Sequence, residues 1–504
     1  MRHLAEKLRA LVRGAVSASG DGPVVAAGVA AGVLYLLLPA ATGLDYRLLA
    51  QRGPYQLMWL NLLGAHYQLP IETPKPLSVL LAGILGSGPA FYAATCIAVG
   101  LCVAAALRLG RAISGSYWPG LVTAVTVFAL RGEGIYYVLV GNAEPFHAAL
   151  VLLALAAIAE GRLRLAAFVV LLACLQRPEA WALAPLPLLF ALASRRRFDP
   201  ALSLPFIAPF VWAAFDRAMT GDWLYSLHVT AYYPVAAALS TTSPGSYWGD
   251  MLLELTKVAG DVPFLLGLVG LGISAWKTAR SRPALTDSER PLRPAGRPAI
   301  LIGLALVLPL MTSWLTSLSG RVLQMGRFQF PSALLLVLLA TSAPFLLLSG
   351  RAPRWLVVAM SAVVGLSAFA PGQVVKSIRR ARGDGLRAVA YAPIAGTVKQ
   401  LIENGTAEVA VVSERRLFYF ARLLGPANSW KLHSIRKVRN LSGAVPATTR
   451  TGLLAYYNQD EINTPPTDSV CRWVLRAWPI PAVLEPVAMT PDSLGGVWLI
   501  RPSP

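Results

Sequence analysis

Charge is scarce in this sequence. Asp, Glu, Lys and Arg make up 14% of its 504 residues, against about 25% in soluble globular domains. Acids are scarcer than bases, 25 against 45, which leaves a net charge of +20. Cysteine is nearly absent: Cys96, Cys102 and Cys174 fall in apolar runs, and Cys471 stands alone. That number and spacing exclude a disulfide framework or a cysteine-built metal site; buried small apolar side chains account for them. No internal repeat is evident. Apolar residues are what the chain has in quantity, 55% of the total, with a mean hydropathy of +0.56.

The apolar residues are clustered. Runs occupy Pro23–Thr42, Pro76–Leu107, Ala112–Leu130, Pro145–Ala159, Leu165–Gln176, Ala180–Ser194, Pro200–Phe215, Val262–Trp276, Pro298–Gly320, Phe328–Gly350 and Trp355–Val375. They predict a polytopic α-helical membrane protein of about 11 spans, because only helices and closed barrels satisfy the backbone inside lipid. A basic soluble chain would suggest a nucleic-acid partner. Here the basic residues lie between apolar runs, and no nucleic acid is expected. With the N-terminus in the cytoplasm, the inside segments hold 19 Lys and Arg and the outside loops nine, in keeping with the positive-inside rule. An odd number of spans then puts residues 376–504 outside. The first run has the basic lead and small residues of a signal peptide, but the spans that follow favour a retained anchor.

The Pro76–Leu107 run holds 32 residues without a charge, too many for one crossing of a ~30 Å core at ~1.5 Å per residue. Gly86-Ser87-Gly88-Pro89 divides it, so Leu77–Leu85 reads as a short segment at the outer face. Pro145–Ala159 and Leu165–Gln176 are short and end in charge at Glu144, Arg177 and Glu179. Such ends make sense where they line a wet cavity in the outer leaflet. Residues 277–298, basic and proline-rich, read as a cytoplasmic loop. From Lys376 the pattern changes. Helical spacing over Leu386–Asn404 stops at Gly405, and Ser413 is placed to cap a helix through Leu424. Ala407–Val412, Gly452–Tyr457, Arg472–Leu475 and Val497–Ile500 read as strands. Two domains are therefore expected: a transmembrane module over 1–375 and a small extracytoplasmic α/β domain over 376–504. The tail's 17 Lys and Arg against nine acids suit an anionic membrane surface or an acidic polymer, or simply a solvated basic surface.

The first outer loop, Gly43–Lys75, carries Asp45, His66, Glu72 and Lys75. A carboxylate at the mouth of an outward cavity can act as general base on a hydroxyl, although acids just outside a span are common. Further outer-end candidates are Glu144 before Pro145, Arg177 and Glu179 around Pro178, His228, Arg321 and Arg327. Plainer explanations exist for several. Arg177 and Glu179 can neutralise each other, Pro178 can simply start a helix, Arg327 can anchor the interface, and His228 can be an ordinary loop histidine. Their shared placement at the outer ends of spans says more than any one of them.

At these ends the chain resembles the GT-C class of integral-membrane glycosyltransferases, which take sugars from polyprenyl-phosphate carriers. The resemblance rests on four short patterns in order. They are the acidic first loop at Asp45 leading into Thr-Pro-x-Pro-Leu (Thr73–Leu77), Gly-x-x-Glu-Pro (Gly141–Pro145), Arg-Pro-Glu-Ala (Arg177–Ala180), and Gly-Arg-Phe followed by Pro331. It covers about residues 23–375. It implies transfer of a sugar to an acceptor outside the cytoplasm, a cell-envelope glycan, lipid or protein, with inversion by single displacement. Asp45 would be the base, and Arg327, Arg177 or Arg321 would hold the departing phosphate. Glu72, Glu144 and His66 would orient sugar or acceptor, and Lys75, Glu179 and His228 complete the implied substrate-binding set. The Leu77–Leu85 segment would help form the groove for the prenyl tail. Many relatives carry paired acids in the first loop, whereas Asp45 precedes Tyr46. One carboxylate is a poor divalent site, so no metal ligand is assigned, and a divalent cation has no support in the sequence. Composition points to a bacterial plasma membrane.

Two other classes compete. A transporter or lipid flippase places charge near the bilayer midplane and often carries repeated halves; here charge gathers at one face. A non-catalytic scaffold whose tail binds a cell-wall partner would not need acids and arginines in a membrane cavity.

Overall fold

The structure, a computed structural model, describes residues 22–44, 53–64, 75–86, 88–193, 199–228, 247–280, 297–317, 330–348, 350–390, 392–412, 431–434, 449–457, 467–489 and 495–503. The chain enters through α1 (Gly22–Thr42), then α2 (Gly53–Leu62), α3 (Pro76–Leu85) and α4 (Pro89–Ser114). The α3–α4 break falls at Gly86–Gly88, where both glycines have positive φ, so the long uncharged run divides as its Gly-Ser-Gly-Pro suggested. Next come α5 (Trp118–Val125), which continues as a π-helical turn over Thr126–Leu130, α6 (Gly132–Leu139), α7 (Ala143–Ala159) and α8 (Leu163–Gln176). Two 3₁₀ segments, Pro178–Leu183 and Pro200–Ile207, lead into α9 (Leu186–Ala193) and α10 (Ala208–Thr220). The bundle closes with α11 (Tyr247–Ala259), α12 (Asp261–Arg280), α13 (Arg297–Ser317), α14 (Phe330–Leu348) and α15 (Arg354–Leu366).

A helix apolar on every side is stable only at the centre of a bundle or in lipid, and both solutions occur. Every residue of α14 from Phe330 to Phe345 is buried, which makes it the central post. By contrast α1 exposes Val33, Leu34 and Leu37, and α15 exposes Trp355, Val363 and Leu366, as lipid-facing surfaces do. Where helices cross closely, small residues permit it. A Cβ on Gly28 of α1 would stand 2.7 Å from the carbonyl oxygen of Gly100 in α4, and one on Gly100 would stand 2.6 Å from that of Gly28.

By length and composition, three helices among the described residues can cross a membrane: α1, α4 and α14. The number rises to six if each bent pair counts as one span, and several apolar helices are shorter. The bends occur between α5 and α6 (72°), α11 and α12 (107°), and α15 and the helix that follows it (53°). The last corrects the sequence reading. Trp355–Val375 is not one run of helix, because α15 stops at Leu366 and α16 (Pro371–Ala390) restarts at Pro371 in a new direction. Pro371 is tolerated there because the first turn of a helix needs no N–H. The expected domain boundary at 375/376 falls inside α16.

Beyond α16 lie α17 (Ala392–Glu403), β1 (Val409–Val412), β2 (Leu432–Ser434), β3 (Gly452–Tyr457), α18 (Thr467–Ala477), β4 (Ala482–Met489) and β5 (Gly495–Pro502). Among the described residues the strands form one sheet, ordered β2-β1-β3-β5-β4, parallel among the first three and antiparallel at β5 and β4. Val-Ala-Val-Val in β1 is apolar throughout because both faces are covered. Ala410 and Val412 pack with Ile394, Val398 and Ile402 of α17, and Val409 and Val411 pack with Val470 and Val474 of α18.

Two expectations need amendment here, and one strand was not foreseen. Leu386–Asn404 is the end of α16 plus α17, with Gly405 closing α17 at φ +71°. Arg472–Leu475 is helix, not strand, because Val470, Val474 and Trp478 recur every four residues and seat one face on the sheet. Strand β4 was missed because Pro486 and a bulge interrupt its alternation; proline is allowed there because β4 is an edge. The helix expected from Ser413 to Leu424 lies outside the described residues.

Replacing Gly100 with Leu should lower stability by about 1–3 kcal/mol or more, since two backbones must separate to admit the side chain. Thermal unfolding of detergent-purified protein checks this; an unchanged midpoint would deny the close crossing.

Candidate functional site

Pro178 governs the geometry at the end of α8. A residue before proline is driven out of helical conformation, and Arg177 is extended at φ −153°, ψ 136°. Its side chain is thereby turned away from the α8 surface and buried, where its guanidinium donates to Glu144 and, at 3.4 Å, to Glu179. Glu144 reaches it from the first turn of α7, which follows a tight bend made by Gly141 at φ +65°. A carboxylate there is also favoured by the helix dipole. Arg177 and Glu144 are almost fully buried, while the Glu179 side chain retains 24% exposure.

Neighbouring groups complete the cluster. The Gln176 amide and Ser78 of α3 bond each other at 2.9–3.1 Å, and Gln176 also donates to the Ala143 carbonyl at 3.3 Å. These contacts tie α3, α7 and α8 together. Lys75 is the extended residue just before α3 and donates to the Tyr55 hydroxyl of α2 at 2.8 Å, its ammonium 5.3 Å from that ring's centroid. The phenols of Tyr55 and Tyr137 lie within electrostatic reach of Arg177, as does the imidazole of His147. His147 is buried one turn after Glu144, and its Nδ1 has no hydrogen-bond partner among the described residues.

An aromatic row fixes the same end of the bundle. Tyr137 packs edge-on against Phe330 at 5.4 Å, Phe330 against Phe128 at 5.9 Å, and Phe128 against Tyr35 at 6.4 Å. This links the π-helical turn, α6, α1 and the start of α14. Arg131, buried between the π-turn and α6, donates to the carbonyls of Lys257 and Ala368, so the elbows that lead into α6, α12 and α16 meet at one cation.

Of the residues singled out in the sequence, Lys75, Glu144, Arg177 and Glu179 belong to this cluster. Arg177 and Glu179 do pair, as the plainer explanation had it, but with Glu144 as a third member. His228 stands apart: it is exposed and bonds Asp222 at 2.7 Å. The Leu224 backbone N–H and the His228 ring hold the Asp222 carboxyl below its usual range. Asp45, His66, Glu72, Arg321 and Arg327 lie outside the described residues. Among the described residues next in the chain, Leu44 is buried in the bundle core and Phe330 packs on Tyr137. Sequence reasoning missed Tyr55, Tyr137, His147, Ser78 and Gln176. Only His147 carried a signal, its three-residue spacing from Glu144 on one helix face. Among the described residues no group of three His, Cys, Asp or Glu is arranged to hold a metal ion.

Arg177→Gln should destabilise the protein by about 3–5 kcal/mol, because it breaks a buried ion pair by removing one partner. Pairing it with Glu144→Gln should recover part of the loss. Thermal unfolding of both variants checks the ion network; equal midpoints for the single variant and the parent would contradict it.

No protein-family model matches the chain, and no curated protein sequence matches it. Solved structures do. The crystal structure of ArnT from Cupriavidus metallidurans bound to undecaprenyl phosphate is 11% identical and superposes with a TM-score of 0.54, covering 94% of this chain and 97% of that one. The apo structure of the same protein is 13% identical with a TM-score of 0.48, covering 95% and 98%. The first match, running end to end through both chains, shows that this protein has the ArnT fold, the GT-C fold that its span-end patterns resemble.

Proposed function

We infer that the protein is an integral-membrane glycosyltransferase that moves a sugar from a polyprenyl-phosphate carrier to an acceptor hydroxyl. The carrying observation is the end-to-end fold match to a protein crystallised with undecaprenyl phosphate. The polar cluster at one end of an apolar bundle is where such a reaction would run. In this reading that end faces away from the cytoplasm of a bacterial plasma membrane, the chain crosses about 11 times, and residues 376–504 form an extracytoplasmic domain that helps bind the acceptor, a cell-envelope glycan, lipid or protein.

The acceptor oxygen attacks the anomeric carbon, the bond from that carbon to the phosphate oxygen breaks, and the carrier phosphate leaves with the electron pair. The acceptor proton passes to Asp45, and the sugar carbon inverts. A lipid phosphate is already a fair leaving group, so the protein must supply a base and positive charge. Arg177 is engaged by two carboxylates, which suits it to holding Glu144 and Glu179 in place more than to clamping phosphate. Lys75 has the better position, beside Tyr55 at the N-terminus of α3, where the helix end adds to its attraction for an anion. Arg321 and Arg327 remain as further phosphate ligands. Glu179, the partly exposed acid, would meet sugar hydroxyls together with Glu72, Glu144 and His66.

Incubation of membranes with labelled polyprenyl-phosphate sugars tests this directly: a new glycosidic product is expected, whereas movement of intact lipid across the bilayer without product would identify a flippase. Asp45→Asn should abolish transfer with insertion intact; near-normal turnover would remove Asp45 from the base role. Lys75→Met should raise the donor KM at least about ten-fold, the value of one charge-assisted hydrogen bond, and an unchanged KM would place the phosphate elsewhere.

A further inference from the structure

Helix α16 leaves the lipid-facing α15 through a 53° bend and lies against α6. Its inward face is fixed closely. Ser377 and Ala381 are buried, and a Cβ on Gly132 of α6 would stand 2.4 Å from the Gln373 carbonyl oxygen and 2.6 Å from Ser377 Oγ. One flank carries Arg380, whose guanidinium lies 4.2 Å from the centre of the Tyr136 ring. Among the described residues the opposite face has no such partner. At 100° per residue, Val375, Lys376, Arg379 and Arg382 fall on one arc of the helix, and all four are exposed. Among the described residues none of the three cations is ion-paired, and Pro371–Arg382 contains no acid. Apolar exposure continues from α15 into this arc, through Leu366 (58%), Phe369 (52%) and Val375 (48%).

A helix with this make-up, apolar where it meets a lipid-facing helix and basic beyond, fits the headgroup layer of a bilayer. We propose that the Lys376–Arg379–Arg382 face of α16 is a docking surface for anionic phospholipid headgroups. Their phosphodiesters complement three cations that are unpaired among the described residues, and their acyl chains continue along the exposed face of α15. Because α16 backs α6, and α6 carries Tyr137 to the polar cluster, a headgroup seated here supports the wall of the candidate site. The surface is distinct from the place given above to the donor phosphate, and its binding needs neither donor nor acceptor, so it fails or stands independently of the transfer reaction.

The test uses the full chain in neutral detergent. Thermal unfolding is followed on adding phosphatidylglycerol or phosphatidylcholine, and lipid retained through purification is measured. Each basic group at an anionic surface strengthens partitioning by about five-fold, so K376Q/R379Q/R382Q should cut phosphatidylglycerol retention about a hundred-fold and lose the midpoint rise that this lipid alone produces. Its midpoint in phosphatidylcholine should be unchanged. R351Q/R354Q, which removes exposed arginines at the other end of the bundle, should keep both effects. The rise in the parent should fade with salt as screening tightens. The proposal is overturned if the triple variant retains the lipid, if both variants lose it equally, or if heparin reproduces the rise while phosphatidylglycerol does not, which would mark an acidic polymer as the partner. Should the triple variant not fold, photo-crosslinking of the parent with a phosphatidylglycerol probe decides: label in 371–382 supports the surface, and label only elsewhere ends it.

Discussion

The buried pairing of Arg177 with Glu144 and Glu179 is the interaction on which this end of the bundle depends. Removing one ion from water costs several kcal/mol even after relaxation, so charges survive among apolar helices only where each has a partner held in a fixed position. The local chain supplies that fixity. Pro178 holds Arg177 extended, Gly141 turns the chain so that Glu144 enters in the first turn of α7, and the Gln176–Ser78 bonds bring α3 alongside. Among the described residues two acids meet one guanidinium, and Lys75 stands on the Tyr55 side of the cluster. In the proposed reaction, acids on one side and an ammonium at a helix start on the other would separate a sugar's hydroxyls from the phosphate that carries it.

Helix α2 joins this site to the C-terminal sheet. One face, with Tyr55 and Met58, belongs to the bundle core, while Leu57 on the other is buried with Ile394, Val398 and Ile402 of α17 and with the sheet residues beneath them. Helix α2, which presents Tyr55 to Lys75, is thus held between two hydrophobic cores. A shift of the sheet relative to the bundle would move Tyr55, which gives the tail a mechanical path to the cluster.

Much of this was legible in the sequence for identifiable reasons. Apolar runs report helices because lipid and bundle interiors demand the same residues, and Gly86–Pro89 reported the α3–α4 break because glycine and proline act locally. Charge at the ends of short apolar runs reported Glu144, Arg177 and Glu179, since such residues have few other places to go. What was hidden depends on contacts distant in sequence. Nothing near Tyr55 announces that it meets Lys75, and Tyr137 gains meaning only beside Phe330. Pro371 marks a bend, yet apolar residues on both sides of it mimic one continuous span. In the tail, the β-prone Arg472–Leu475 is helix because the spacing of Val470, Val474 and Trp478 against the sheet outweighs local preference.

The most direct test of the account is a density map of the full chain with a polyprenyl phosphate bound. The phosphate should lie within hydrogen-bonding reach of Lys75, at the end of the bundle where Glu144, Arg177 and Glu179 meet. A phosphate found at the opposite end, beside Arg162 and Arg164, would contradict it.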